Sequence, residues 1–196
     1  MKNILIIIGS PRKKGNTYQL AQAFLKGAQE EGAQVRVVDL AETRIQGCLD
    51  CSGCEKTGRC VQKDGMEEVY EAIGDCDLLV LATPIFFFSL SAQLKAVLDR
   101  LHSYALSIHY QFPPKECVLL AVAGDKDPQY MQQVVTYYQT FTNRLGWVDR
   151  GIILAPGAKG RGAIQGHVAL KQAQELGKAL GKESAPSAPC VNKENA

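Results

Sequence analysis

Short aliphatic and β-branched runs alternate along this chain with longer amphipathic stretches, and that alternation leaves few folds open. Apolar runs at 3–8, 35–40, 77–82, 117–123 and 148–154 predict five strands. Residues 17–31, 66–73, 91–105, 128–145 and 164–180 predict helices between and after them. Leu20, Ala21, Phe24, Leu25 and Ala28 recur at helical spacing, as do Leu94, Val97, Leu98 and Leu101, and Gly32 stops the first helix. Strands that are apolar throughout, each followed by a helix, imply a parallel sheet covered on both faces. The chain has 196 residues, enough for one α/β domain with a full core. That domain is expected over 1–181, with a Gly- and Cys-rich loop at 47–65. The tail at 182–196, with Pro186 and Pro189, lacks an apolar period and is expected to be disordered.

Charge narrows the function classes. The net charge is +2 with Lys and Arg thinly spread, which gives no footprint for nucleic acid or a membrane surface. No apolar run approaches the roughly 20 residues that span a bilayer. Ile4 to Ile8 is too short for a signal-peptide core. The chain therefore reads as cytoplasmic, and the clustering of four of its seven cysteines in one short stretch as metal, cluster or redox chemistry rather than structural disulfides.

Ligands of open α/β sheets bind at the carboxyl ends of the strands. The first such loop is Gly9-Ser10-Pro11-Arg12-Lys13-Lys14-Gly15-Asn16-Thr17. Ser10, Asn16 and Thr17 offer hydroxyl and amide donors, Arg12 offers charge, and the following helix offers free N–H groups at its positive end. The loop is not a Walker A sequence, because Asn16 stands where Lys is required. Nor is it the dinucleotide G-x-G-x-x-G, whose later glycines would fall on Pro11 and Lys14. It is a phosphate loop of neither type, or else an ordinary capped turn.

After the third predicted strand comes Thr83-Pro84-Ile85-Phe86-Phe87-Phe88-Ser89-Leu90-Ser91-Ala92-Gln93-Leu94-Lys95. Pro84 is expected to break that strand. Three consecutive aromatics cannot all enter one core, so some of them line a pocket or an interface. The fourth strand leads to Gly124-Asp125, where a glycine permits close approach to a ligand, although Gly-Asp is also a common turn.

The two loops together resemble those of the NADPH-dependent FMN reductase and iron–sulfur flavoprotein families over about residues 1–155. The resemblance implies a flavodoxin-like doubly wound sheet of five parallel strands, order 2-1-3-4-5, with helices on both faces. It implies an FMN phosphate held by Ser10, Arg12, Asn16 and Thr17. The isoalloxazine ring would lie against Pro84, Ile85, Phe86, Phe87 and Ser89, with Gly124 close by. Phe86 departs from the family pattern, in which Tyr is usual. The helix opened by Ser89 to Lys95 is implied to contribute to a homodimer or tetramer.

The remaining motif is Cys48-x2-Cys51-x2-Cys54-x5-Cys60. Four thiolates on one short loop can wrap a single cubane. The spacing resembles that of iron–sulfur flavoproteins, which implies a [4Fe–4S] cluster near FMN, at a subunit interface. A zinc site and a Cys48/Cys51 redox dithiol remain open at this point. Cys76 and Cys117 read as small apolar core residues, and Cys190 lies in the tail. His102, His109 and His167 show no metal spacing. Asp39 mimics a ribose-binding acid but reads as a turn residue.

These readings converge on an oxidoreductase in which FMN carries the chemistry and no side-chain acid or base is required. In the first form NAD(P)H reduces FMN, which serves a small acceptor such as a quinone. In the second the protein is an iron–sulfur flavoprotein electron carrier fed by ferredoxin. The third is a zinc-stabilised, non-enzymatic interaction module on the same scaffold.

Overall fold

The computed structural model describes residues 1–183. Five strands, β1 (Asn3–Ile8), β2 (Gln34–Asp39), β3 (Leu78–Pro84), β4 (Glu116–Val122) and β5 (Val148–Ala155), form one parallel sheet in the order β2-β1-β3-β4-β5. The helices are α1 (Asn16–Glu30), α2 (Gly53–Thr57), α3 (Met66–Asp75), α4 (Ala92–Ser107), α5 (Gln132–Leu145) and α6 (Val168–Gly181). The three central strands are buried on both faces, which is why their sequences are apolar without alternation. The edge strands β2 and β5 are only partly covered and carry polar residues such as Arg36 and Asp149.

Alternate residues of the strands feed two cores. Leu5, Ile7, Leu79, Leu81 and Leu119 pack under α3, α4 and α5, with Trp147 and Tyr138. Ile4, Ile6, Ile8, Val80 and Leu120 pack under α1 and α6, with Phe24 and Leu180. The helices α1 and α6 touch backbone to backbone. A Cβ on Gly27 would come within 2.0 Å of the Gln174 carbonyl oxygen, and one on Gly177 within 2.2 Å of that of Phe24. Burial pushes the Cys76 thiol up to about 11 and raises that of Cys117 further, so both sit in the core as neutral, apolar groups.

The base of the sheet is closed by charge. Lys2, with a fully buried side chain, pairs with Glu116 at 2.5 Å and with Glu183 at 3.2 Å. A register shift between Cys117 and Val118 frees Arg150 from the ladder, and its guanidinium bridges Glu116 and Glu183. Glu183 lies beyond the expected domain end at 181, so the ordered unit includes it. The expected disordered tail otherwise falls outside the described residues.

Three sequence expectations need correction. Pro84 is the last residue of β3 and not its breaker: its register partner is Val122, and Ile85 N–H resumes bonding to the Val122 carbonyl at 2.8 Å. The predicted helix at 128–145 opens as a 3₁₀ turn at Pro128–Met131, capped by Asp127, before α5 begins. The last helix starts at Val168 rather than at 164, because Gly162 and Gly166 adopt φ of 79° and 76° and His167 caps α6 through the Ala169 N–H.

Candidate functional site

The carboxyl ends of β1, β3, β4 and β5 meet around a cavity of about 200 Å³. Ser10, Arg12, Gly15, Asn16 and Thr17 line one side, Pro84, Ile85 and Phe86 another, and Gly124 and Lys159 the rest. The first loop is folded for an anion. Lys14 takes a left-handed φ of 53°, and the Ser10 hydroxyl accepts the Arg12 N–H at 3.2 Å. Gly15 caps α1 with no side-chain bond, so the first-turn N–H groups and the positive helix end have no side-chain oxygen over them. Ser10 and Thr17 are buried beside them.

Gly9 is dictated by packing. A Cβ there would meet the Leu94 Cβ at 2.7 Å. Ser91 holds this junction: its hydroxyl donates to the Gly9 carbonyl at 2.5 Å and accepts the Leu94 N–H at 3.2 Å. One side chain thus caps α4 and ties it to the loop after β1. Sequence reasoning gave Ser91 no role, although Ser at a helix start is a recognisable cap.

Asn16 occupies the cavity wall, but its amide is engaged with protein. Its Nδ2 donates to the carbonyls of Ala158 and Gly160 at 2.8 and 2.7 Å, and its Oδ1 accepts the Gly162 N–H at 2.9 Å. The side chain clamps the loop after β5, which in turn presents Lys159 to the cavity. Lys159 was missed in the sequence. The signal was the run Gly157-Ala158-Lys159-Gly160-Arg161-Gly162, glycine-rich and basic, after the last strand.

A second, more open cavity of about 400 Å³ continues from the first past Ile85, Ala123 and Gly124 to Phe87, Phe88, Asp125 and Tyr130. Phe86 and Ser89 exchange both backbone hydrogen bonds at 3.1 Å across a two-residue turn. Phe87 and Phe88 occupy the turn with φ of 47° and 67°, where Asn or Gly is the usual choice. Phe87 is 95% exposed, while Phe88 stacks edge-on between it and Tyr130, with centroids 5.5 and 5.8 Å apart. Ser89 itself is exposed and serves the turn; it does not line either cavity. Phe86 is 43% exposed at the rim.

The cysteine loop leaves the carboxyl end of β2. Cys48 and Cys51 are exposed, Cys54 and Cys60 partly covered, and all four are free thiols. Asp50 and Ser52 take left-handed φ values of 50° and 51°, and α2 ends on Gly58 at 67°. A Cβ on Gly53 would press within 2.5 Å of the Val61 side chain, which would have to move to admit it. Burial raises the Cys54 thiol, and the neighbouring Cys60 and Cys48 raise it further. No three His, Cys, Asp or Glu side chains among the described residues are gathered as a ready metal site. The donor chemistry still fits a cluster: four free thiols share one tight loop, and a buried Arg100 donates to the Cys60 sulfur at 3.4 Å. Asp39 does not reach the cavity; its carboxylate accepts the Ala41 N–H at 3.0 Å, a local turn.

The sequence profile of the NADPH-dependent FMN reductase family matches residues 2–127. The chain belongs to this family. It is therefore an FMN-dependent oxidoreductase of the NAD(P)H-linked, flavodoxin-like type. An iron-sulfur flavoprotein of Archaeoglobus fulgidus is 32% identical over 178 residues, which span 87% of this chain and 75% of the relative. A putative NAD(P)H-dependent FMN-containing oxidoreductase of Bacillus subtilis is 27% identical over 178 residues, spanning 88% of this chain and 95% of that one. The solved NAD(P)H:quinone oxidoreductase from Methanothermobacter marburgensis matches with a TM-score of 0.70 at 19% identity, covering 93% of this chain and 98% of its own. At that identity the likeness establishes the shared fold. No helix among the described residues is long and apolar enough to cross a membrane.

Proposed function

We propose that the chain is an iron–sulfur flavoprotein-type reductase, with FMN in the trench at the sheet's carboxyl edge and a [4Fe–4S] cluster on the four-cysteine loop. The uncapped start of α1 and the Pro84–Phe86 segment open onto one cavity, so an anion cradle and an apolar platform stand side by side. That pairing suits a flavin mononucleotide, with Ser10, Thr17, Arg12 and the α1 amides on the phosphate. Asn16 acts there by fixing the loop that carries Lys159. FMN, when bound, supplies hydride and single-electron transfer. Ile85, Phe86 and Gly124 shape the ring site, while the Phe87–Phe88 turn and Tyr130 form the face that meets the electron acceptor. Cofactor released by heating should co-migrate with FMN; recovery of FAD would overturn the assignment.

The cluster reading takes its support from the free thiols and the cation beneath them, together with the names of relatives such as that of A. fulgidus. The physiological donor is then NAD(P)H or a reduced ferredoxin, and the working unit a homodimer in which the cluster faces the partner's flavin. Anaerobic reconstitution should give about four irons per chain. Flavin bleaching by NAD(P)H alone supports the reductase, and bleaching only by reduced ferredoxin supports the carrier. Colourless protein loaded with zinc would replace both with an interaction module. Light scattering gives the oligomeric state.

A further inference from the structure

Arg100 lies in the third turn of α4 and is 2% exposed. Its Nη1 donates to the Asp64 carboxylate at 2.6 Å and to the Gln46 carbonyl at 3.2 Å. Its Nη2 donates to the Cys60 sulfur and to the Gln62 carbonyl, both at 3.4 Å. All four partners belong to the cysteine loop or its two roots: Gln46 precedes Cys48, and Gln62 and Asp64 follow Cys60. The roots are also tied directly, Gln46 N–H to Asp64 at 2.9 Å and the Gln62 amide to the Gly47 carbonyl at 3.0 Å. From the other side the Tyr70 hydroxyl of α3 donates to the Arg100 carbonyl at 3.0 Å. The guanidinium sits between the ends of the loop as a clasp.

A buried ion pair is weak support for stability, since well-packed apolar residues often do as well. This one is also incomplete. The four Nη donors meet one carboxylate, one sulfur and two carbonyls, while the fifth donor, Nε, is buried with no partner among the described residues. A buried guanidinium that meets a single carboxylate, has one donor unpartnered and already sets another on a thiol is arranged for more negative charge than the iron-free chain supplies. A cubane held by four thiolates brings that charge.

We propose that Arg100 is a positioning residue for the iron–sulfur cluster, clasping the two ends of the cysteine loop and holding its positive charge against the Cys60 thiolate. The inference rests on the cluster reading above. Hydrogen bonds to cluster sulfurs stabilise the reduced, more negative form and raise the potential. The same helix carries Ser91 at the phosphate loop, about 13 Å along the axis from Arg100. α4 thus meets the flavin cradle at its start and the cluster loop at its third turn.

The test uses the full chain, reconstituted with iron and sulfide under anaerobic conditions, as wild type, R100K and R100M. R100M should lose iron to a chelator about 10- to 100-fold more readily, the usual effect of removing a support behind a ligand. R100K, which keeps the charge and loses the fork, should fall between. Both should shift the cluster potential to more negative values and leave the FMN content unchanged. In iron-free protein, trypsin should cut faster after Lys56 and Arg59 in R100M. If the wild type takes up no iron, the cluster reading and this proposal both fall. If it takes up iron and the variants match it in chelator resistance and potential, only the role of Arg100 is overturned. Should R100M lose FMN as well, it reports on folding, and the potential of R100K decides: a shift supports the clasp, and an unchanged value overturns it.

Discussion

Replacing Asn16 with Ala removes three hydrogen bonds that join the start of α1 to the loop after β5. Each such bond contributes about 0.5–1.5 kcal/mol net. The bond to Gly160 is exposed, so water replaces part of its worth, while those to Ala158 and Gly162 are partly buried. Alanine's better helix propensity returns about 0.5 kcal/mol. The flavin-free protein should therefore lose about 1–3 kcal/mol. Asn16→Asp should lose at least as much despite its favourable place at the helix start. It sets a carboxylate oxygen against two carbonyl oxygens that now receive N–H groups at 2.8 and 2.7 Å. Urea unfolding of the flavin-free variants measures the clamp, and quenching of FMN fluorescence on titration measures the site. A phosphate ligand and a loop clamp make opposite forecasts here. If stability without FMN stays within about 0.5 kcal/mol of wild type and only FMN affinity falls, Asn16 contacts the phosphate and the clamp argument is refuted.

Phe87→Asn should stabilise the flavin-free protein by about 1 kcal/mol, because Asn tolerates the left-handed turn and the exposed ring packs on little; turnover with a quinone acceptor should fall, and unchanged stability would show that the turn is unstrained. Gly124→Ala should fold normally, since the added Cβ meets Lys159 at an ordinary 3.5 Å, yet weaken FMN affinity; equal affinity would place the flavin away from Gly124. Burial works to raise the Asp64 carboxyl, but the Arg100 hydrogen bond and the Gln46 and Met66 amides hold it below its ordinary value. Its stabilisation is present above about pH 4 and is lost as the pH falls through the lowered value, so Asp64→Asn should flatten the acid limb of stability against pH. A chain cut after Gly181 should be about 1 kcal/mol less stable than one cut after Glu183, discounted because the Glu183 side chain is 41% exposed; equal urea midpoints would show that its bonds to Lys2 and Arg150 carry no weight.

The sheet was legible because burial on both faces forces continuous apolar runs, and β1 spans 3–8 in sequence pattern and structure alike. Residues 164–167 misled for a physical reason. Ile164 is buried and Val168 follows it four residues on, so the apolar spacing reads as one helix through a turn that Gly162 and Gly166 make non-helical. Two adjacent phenylalanines at positive φ carry no sequence signature, since the turn they form is normally written with Asn or Gly. The membership of the first cavity was readable: Ser10, Arg12, Asn16, Thr17, Pro84, Ile85, Phe86 and Gly124 all line it.

What stayed hidden is which side chains hold the loops that hold the ligand. A loop rich in donors announces itself locally, but its support comes from residues distant in the chain. Asn16 grips backbone at Ala158, Gly160 and Gly162, Ser91 grips Gly9, and Arg100 grips Gln46, Gln62 and Asp64. In sequence, Ser91 has no role of its own, and Asn16 reads as one more phosphate donor. Arg100 is not singled out, because nothing local distinguishes a buried arginine from an exposed one. Only the strand order brings α4 under both loops at once, Ser91 at one end and Arg100 nine residues on. A rigid helix tied to the loop after β1 by one hydrogen bond and to the cysteine loop by a buried cation fixes the distance between the proposed flavin and cluster sites. Breaking the helix between Ser91 and Arg100 should therefore disturb both together, whereas changing Ser91 or Arg100 alone should disturb only one.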